Sequence, residues 1–375
     1  MSAAHPPLTQ VAAALRTTTE RLARELASPT HEAPPWSEFE WRIARAATAM
    51  HGVSSLLDAA LRWEGPQGWR RFLREQRQQT VGRHLQIESL LADIDAHARR
   101  EGVALVALKG AALHAAGLYA GGERPMGDID LLVREDDTQA AARVIERCGY
   151  AAGFTTHRHR VFQPRVKKTV VGDRLGESTD DPLKIELHTR IAEHLPVTPT
   201  DITEYLFPDA AHPGLNAYPG HAFLMMHLLL HAAGNMRARA LRLIQLHDIA
   251  RLAPRLGPAG WEELLAARAS HRSSWWALAP LMLTARYYPQ AIPPGLFADL
   301  RAECPWLLAR RARRQQLADV SWSNIHIEAF PGLEWSRTPR EALKFMRSRI
   351  WPSREARLEL KEGAAQIPGS ATVPW

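Results

Sequence analysis

Two apolar runs with different fittings constrain this chain more than any other feature. Leu105-Val106-Ala107-Leu108-Lys109-Gly110 ends at a glycine that opens an alanine-rich helical pattern. Gly127-Asp128-Ile129-Asp130-Leu131-Leu132-Val133 begins with two carboxylates separated by one residue. Successive side chains of a β-strand turn to opposite faces, so this spacing puts Asp128 and Asp130 on one face and sends Ile129 and Leu131 into a core. Two like charges held that close are costly, and a divalent metal with oxygen ligands is the usual compensation.

A later stretch, Leu183-Lys184-Ile185-Glu186-Leu187-His188, alternates strictly and predicts another strand with Glu186, His188 and Arg190 on one face. Three carboxylates on adjacent strands, a glycine turn entering a helix and the nearby Lys109 suit divalent metals and a nucleoside triphosphate. The helix start after Gly110 offers free backbone N–H groups to a phosphate, and a residue without a side chain lets it approach closely. Asp128 and Asp130 would hold the metal. Glu186 would complete a second metal position or accept the proton of the attacking group.

Around this core the apolar spacing is helical. Residues 1–35 carry the pieces His5-Pro6-Pro7 and Ala33-Pro34-Pro35 with one amphipathic pattern between them (Val11, Leu15, Leu22, Leu26), which predicts a loosely attached tail with one helix. Residues 36–100 predict a helical layer, with stripes such as Ile87, Leu90, Leu91, Ile94 and Ala98. The α/β core is expected over 101–195, with strands over Val103–Leu108 and Asp128–Val133, helices over Ala111–Tyr119 and Asp136–Cys148, and a half-exposed strand or hairpin over Val161–Val171. Residues 196–352 return to helix, over His221–Ala233, Leu241–Leu252, Trp261–Ala269 and Trp275–Tyr288, with Trp306, Trp322, Trp335 and Trp351 read first as core and 353–375 as a tail. The fold class expected is α+β, a small mixed β-sheet between helical N-terminal and C-terminal regions.

Composition serves mainly to exclude. With 46% hydrophobic and 23% charged residues the chain is globular rather than disordered, and its formal charge of +7 implies a surface that attracts nucleotides, phosphates or nucleic acid. Cys148 and Cys304, far apart, support neither a disulfide framework nor a cysteine zinc site. The start MSAAHPPLTQ lacks the basic and apolar segments of a secretory signal. The longest apolar run, Ala222 to Ala233, is interrupted by His227 and His231 and is too short to span a bilayer. A cytoplasmic protein without a membrane partner is expected.

Leu108-Lys109-Gly110, Arg124-Pro125-Met126-Gly127-Asp128-Ile129-Asp130-Leu131-Leu132-Val133 and Ile185-Glu186-Leu187-His188 together resemble the nucleotidyltransferases of the DNA polymerase β superfamily. More narrowly, they are similar to a bacterial group of uncharacterised nucleotidyltransferase-like proteins, over roughly Trp36 to Pro352. The superfamily pattern is a Gly followed by Gly or Ser, an acid-apolar-acid strand, and a third acid on a later strand. By position the resemblance implies Gly110 as the glycine, Asp128 and Asp130 as the pair for Mg²⁺ (or Mn²⁺), and Glu186 as the third acid, with Lys109 and Arg124 as cations for the triphosphate. Ala111 departs from the pattern, standing where Gly or Ser is usual. The implied activity is transfer of a nucleoside monophosphate from an NTP, ATP among them, to an acceptor that is RNA, protein, peptide or small molecule.

Other residues leave alternatives open. His188, on the Glu186 face, either supports a ligand or substrate or merely packs. In the helical half His227 and His231 are i, i+4 neighbours, a ligand spacing on one helix face, and His247-Asp248 resembles the paired residues of metal-dependent phosphohydrolases. These side chains would otherwise satisfy one another where helices cross, or line the acceptor side of the nucleotide cleft. A phosphohydrolase built on them, and a catalytically silent nucleotide-binding protein suggested by Ala111, therefore stand beside the transferase.

Overall fold

A computed structural model of the chain describes residues 6–155, 159–166, 175–267, 274–322 and 330–351. Four helices come first: α1 (Leu8–Ala27), α2 (Glu38–His51), α3 (Ser54–Ala60) and α4 (Gln67–Glu101). The mixed part holds β1 (Ala104–Ala107), α5 (Lys109–Ala115), β2 (Asp128–Val133), α6 (Thr138–Arg147), β3 (Tyr150–Thr155), β4 (His159–Pro164), β5 (Lys184–His188), β6 (Ala192–His194), β7 (Pro199–Asp201) and β8 (Gly214–Asn216). The remainder is helical: α7 (His221–Ala238), α8 (Leu243–Leu252), α9 (Gly257–Ala266), α10 (Leu278–Tyr287), α11 (Leu296–Glu303), α12 (Trp306–Ala312), α13 (Ala318–Ser321) and α14 (Pro339–Ile350). The expected tail at 353–375 and the 167–171 end of the expected hairpin lie outside the described residues.

The fold is α+β, with a six-stranded mixed sheet in the order β3-β4-β5-β2-β1-β8. β2 is antiparallel to β1 and parallel to β5, while β4 is antiparallel to both β5 and β3. Strand alternation sorts apolar side chains into two cores. Leu105, Ile129, Leu131, Val133, Ile185 and Leu187 meet the second half of α4 and the apolar stripe of α6. Val106, Leu108 and Leu132 face the other way, into a larger cluster that runs through α7, α8 and α10. The acid-bearing face of β2 is thus covered by helices at its inner end and left open at Asp128. Among the described residues no helix is long and apolar enough to cross a membrane.

The N-terminal segment differs from the expected loose tail. Leu22 and Ala23 of α1 are fully buried, and Glu20 accepts hydrogen bonds from Tyr287 Oη at 2.8 Å and from the Ala318 N–H at 3.1 Å. The stripe read as merely amphipathic has a partner three hundred residues away, which its own spacing does not reveal. Trp335 and Trp322 are buried as expected, whereas Trp306 and Trp351 are 67% and 68% exposed and so do not belong to the core.

Helix α4, 35 residues long, ties the two cores together. Trp69, Phe72 and Leu73 enter the larger cluster, and Ile87, Leu90, Ile94 and Ala98 enter the smaller one. Between them sit buried polar residues, of which Arg83 is 4% exposed. Its guanidinium donates to Met126 O (2.8 Å) and Gly127 O (3.0 Å), just before β2, and to Ser178 O (3.0 Å) and Asp181 O (2.9 Å), just before β5. One side chain therefore fixes the entry points of both acid-bearing strands. Arg83→Met removes four charge-assisted bonds and leaves buried carbonyls unsatisfied. It should cost on the order of 3–5 kcal/mol in urea unfolding, where a surface arginine costs almost nothing.

Candidate active site

β2 and β5 pair in parallel with Asp130 opposite Glu186 and Asp128 opposite Lys184. Paired residues of parallel strands present their side chains to the same face, so the two aspartates, Glu186 and His188 line one patch of the sheet. Asp130 Oδ1 receives Lys109 Nζ at 2.9 Å and His188 Nε2 at 3.0 Å. The same His188 nitrogen is 3.7 Å from Glu186 Oε2, which His159 Nε2 on β4 approaches to 3.5 Å. Asp128 stands at the open end.

Burial opposes ionisation of all three acids, and the neighbours decide the outcome. At Asp130 the Lys109 ammonium and His188 overcome burial and hold the carboxyl well below the usual range. At Asp128 burial and then repulsion from Asp130 raise it. Burial, followed by Asp130 and Asp128, pushes Glu186 up to about 7. Lys109 is likewise disfavoured by burial, but Asp130 and Asp128 keep it charged. The three acids turn oxygen donors toward the cleft with Lys109 as their nearest counter-ion, a chemistry that would suit a divalent cation.

The cleft in front of the acids, about 280 Å³, is closed on the far side by α7 and α8 and carries Arg124 and Arg242 as well as Lys109. Arg124 is clamped by Asp248, with Nε to Oδ1 at 2.8 Å and Nη2 to Oδ2 at 2.7 Å, and Tyr119 Oη donates to Asp248 Oδ1 at 2.8 Å. Such a fork holds a guanidinium in one orientation. α5 starts one residue earlier than the glycine: Lys109 itself has φ +45°, and its N–H points to Tyr218 Oη at 3.4 Å. A Cβ at Gly110 would come within 2.5 Å of Arg124 Nη1 and 2.6 Å of Met126 Sδ, so a larger residue there would displace the guanidinium and the thioether from their present places. Ala111 is buried and faces a separate apolar cavity behind α5. A hydroxyl at that position would point away from the acids.

The histidines of the helical half do not gather around a common point. His227 Nδ1 meets Tyr218 Oη at 2.7 Å, His231 Nε2 pairs with Asn235 at 3.2 Å, and His247 Nδ1 meets Tyr288 Oη at 3.0 Å, while Asp248 is taken by Arg124 and Tyr119. Burial lowers the His247 imidazole to about 4. Among the described residues this arrangement gives the phosphohydrolase reading no shared ligand set. The i, i+4 spacing put His227 and His231 on one helix, where His227 pairs with the Tyr218 hydroxyl and His231 with the Asn235 amide. Among the described residues, the group of histidine and acidic ligand atoms close enough to share a metal is His159, Glu186 and His188. His231 does line the cleft.

Sequence reasoning missed Arg83, Arg242 and His159. Arg83 and Arg242 carry no local signal, since each acts on segments far away in the chain. The only trace of His159 is the basic, β-branched character of its strand, and its place beside His188 comes from the β4–β5 register.

A mixed sheet that turns an acid-apolar-acid strand toward a cleft with basic side chains on its walls is the arrangement expected of a nucleotidyltransferase. The chain is a member of the family described as uncharacterised nucleotidyltransferase, whose model matches residues 37–289 and so takes in the whole cleft from α2 to α10. No curated protein matches it.

The raised Glu186 pKa has a consequence for stability. Between its unfolded value of 4.5 and about 7 the folded, metal-free protein binds a proton that the unfolded chain does not, so this group lowers stability as pH rises through that window. Glu186→Gln should therefore stabilise the metal-free protein at pH 8, by on the order of 2–3 kcal/mol, and should give no gain below the unfolded pKa. Thermal denaturation in EDTA at the two pH values reads this difference directly, and added Mg²⁺ should narrow it by stabilising the wild type.

Proposed function

We propose that this family member transfers a nucleoside monophosphate from an NTP to an oxygen of an acceptor and releases pyrophosphate. The observation that carries the reading is the in-register pairing of Asp130 with Glu186, which brings the third acid to the acid-apolar-acid strand on the side of the cleft. Asp128, Asp130 and Glu186 would hold Mg²⁺ or Mn²⁺, and a bound divalent ion supplies charge neutralisation at the phosphates and orients them for in-line displacement.

The chain's own residues do the positioning. Lys109, Arg124 and Arg242 give the 280 Å³ lobe a positive wall for a triphosphate, with Arg124 held in place by Asp248 and the Gly110 turn allowing it to lie across the floor. A second lobe of about 180 Å³, lined by His159, Arg190, Glu193 and His227, adjoins the first through Lys109, Glu186 and His231. We assign the acceptor to this second lobe. Its oxygen attacks the α-phosphorus, its proton passes to a carboxylate of the acid set, and the bond to the bridging oxygen breaks as pyrophosphate leaves. Ala111 lines the separate cavity behind α5 and is not among the residues of the 280 Å³ lobe, which supports reading the phosphate contacts as those of Lys109 and the arginines.

Incubation of the protein with α-labelled NTPs, Mg²⁺ or Mn²⁺ and a lysate of acceptors should label one acceptor class. Asp128→Asn combined with Asp130→Asn should reduce that incorporation by at least ~1,000-fold while circular dichroism stays unchanged. Undiminished labelling by the double variant would sink the assignment.

A further inference from the structure

Beside the three-carboxylate patch, the sheet carries a second donor set of different chemistry. His159 on β4 is directly opposite His188 on β5, and their rings lie 4.9 Å apart. Glu186 precedes His188 by two residues on the same face. The three ligand atoms all lie within 4.8 Å of one another, with Glu186 Oε2 at 3.5 Å from His159 Nε2 and 3.7 Å from His188 Nε2. Ligands of a tetrahedral ion with bonds of 2.0–2.1 Å stand roughly 3.3 Å apart, so small side-chain shifts would close this set on one ion. Two imidazoles and one carboxylate are a poor offer to Mg²⁺, which demands oxygen donors and keeps its waters, but they suit zinc. All three sit on paired strands, so the set is preorganised, and it faces the 180 Å³ lobe, leaving room for a fourth ligand from solvent or substrate.

We propose that His159, Glu186 and His188 form a Zn²⁺ site on the acceptor side of the cleft, with Glu186 as the carboxylate shared between it and the Asp128/Asp130 position. On loading, His188 Nε2 exchanges its 3.0 Å bond to Asp130 for the ion, and Asp130 retains Lys109. The site deepens the transferase reading and rests on it for one consequence only: an acceptor oxygen in this lobe would become the fourth ligand and be activated as a nucleophile by the ion. Metal binding itself can be read without any transfer assay.

The test is zinc retention. Metal-stripped protein is loaded with ZnCl₂, exchanged into buffer with millimolar Mg²⁺, and assayed for bound zinc by mass spectrometry; a parallel Co²⁺-loaded sample is read by visible absorption. Wild type should retain one equivalent and show the intense bands of a four-coordinate, nitrogen-liganded cobalt. His159→Phe keeps a ring in the same place without the ligand atom. It should lose both signals while melting as a folded protein, with affinity falling by more than the roughly 10–100-fold that follows loss of an outer-shell partner. Should that variant not fold, Glu186→Gln serves in its place and should lose both signals likewise. Asp128→Asn should keep the zinc. Release of zinc to Mg²⁺ by the wild type, or full retention by a folded His159→Phe or Glu186→Gln, overturns the site. Loss of nucleotide transfer in Asp128→Asn with zinc intact bears on the transferase reading alone, so the two fail separately.

Discussion

The buried guanidinium of Arg83 is the contact on which the arrangement of the site depends. A charge that is 4% exposed, with Glu177 Oε2 3.5 Å away, is sustained here by four backbone carbonyls. Those carbonyls belong to two loops, one leading into β2 and the other into β5. Parallel neighbours have no hairpin to set their register, so something outside the strands must do it. Arg83 supplies that constraint from α4, helped by Gln76 and Gln79, which accept hydrogen bonds from the N–H groups of Glu177 and Thr179 at 2.7 and 2.8 Å. A slip of one residue would turn Glu186 to the opposite face and separate the acids.

Once the strands are aligned, the electrostatics of the cleft follow from who stands next to whom. Asp130 and Glu186 are neighbours in the same sheet, yet their carboxyl groups move in opposite directions. Both are disfavoured by burial. Asp130 has Lys109 and His188 bonded to it, whereas at Glu186 the repulsion of the two aspartates adds to the larger effect of burial. Lys109 is the internal counter-ion of the patch as well as a cation facing the cleft. Arg124, by contrast, is held in one orientation by the two-point bond to Asp248 and stays charged beside the cleft.

The helical regions are part of the site rather than packaging for it. α7 and α8 supply the roof of the cleft, and a single apolar cluster extends from α1 through the face of the sheet to α13 and Trp335. The N-terminal helix therefore stabilises the same body that carries the acids. Its buried Glu20 binds Tyr287 and the start of α13, so α1 is held to the helices of the C-terminal region.

What the sequence determined by itself was everything written in short periods: the alternation that places Asp128 and Asp130 on one face, the strand bearing Glu186 and His188, and the helical stripes of α4, α6, α7 and α8. These are consequences of backbone geometry within a few residues, and they sufficed for the α+β class and for the family resemblance. Only the tertiary structure decided which segments lie side by side. It brought His159 to His188, gave Asp248 to Arg124, turned Ala111 away from the cleft, set Arg83 on two loops and drew α1 into the core. The parallel edge strand β8 was invisible for the same reason, being three residues that pair with β1 across more than a hundred positions. Contacts of that kind are selected by the packing of the whole chain, where burial rewards one pairing among many that the local pattern permits equally.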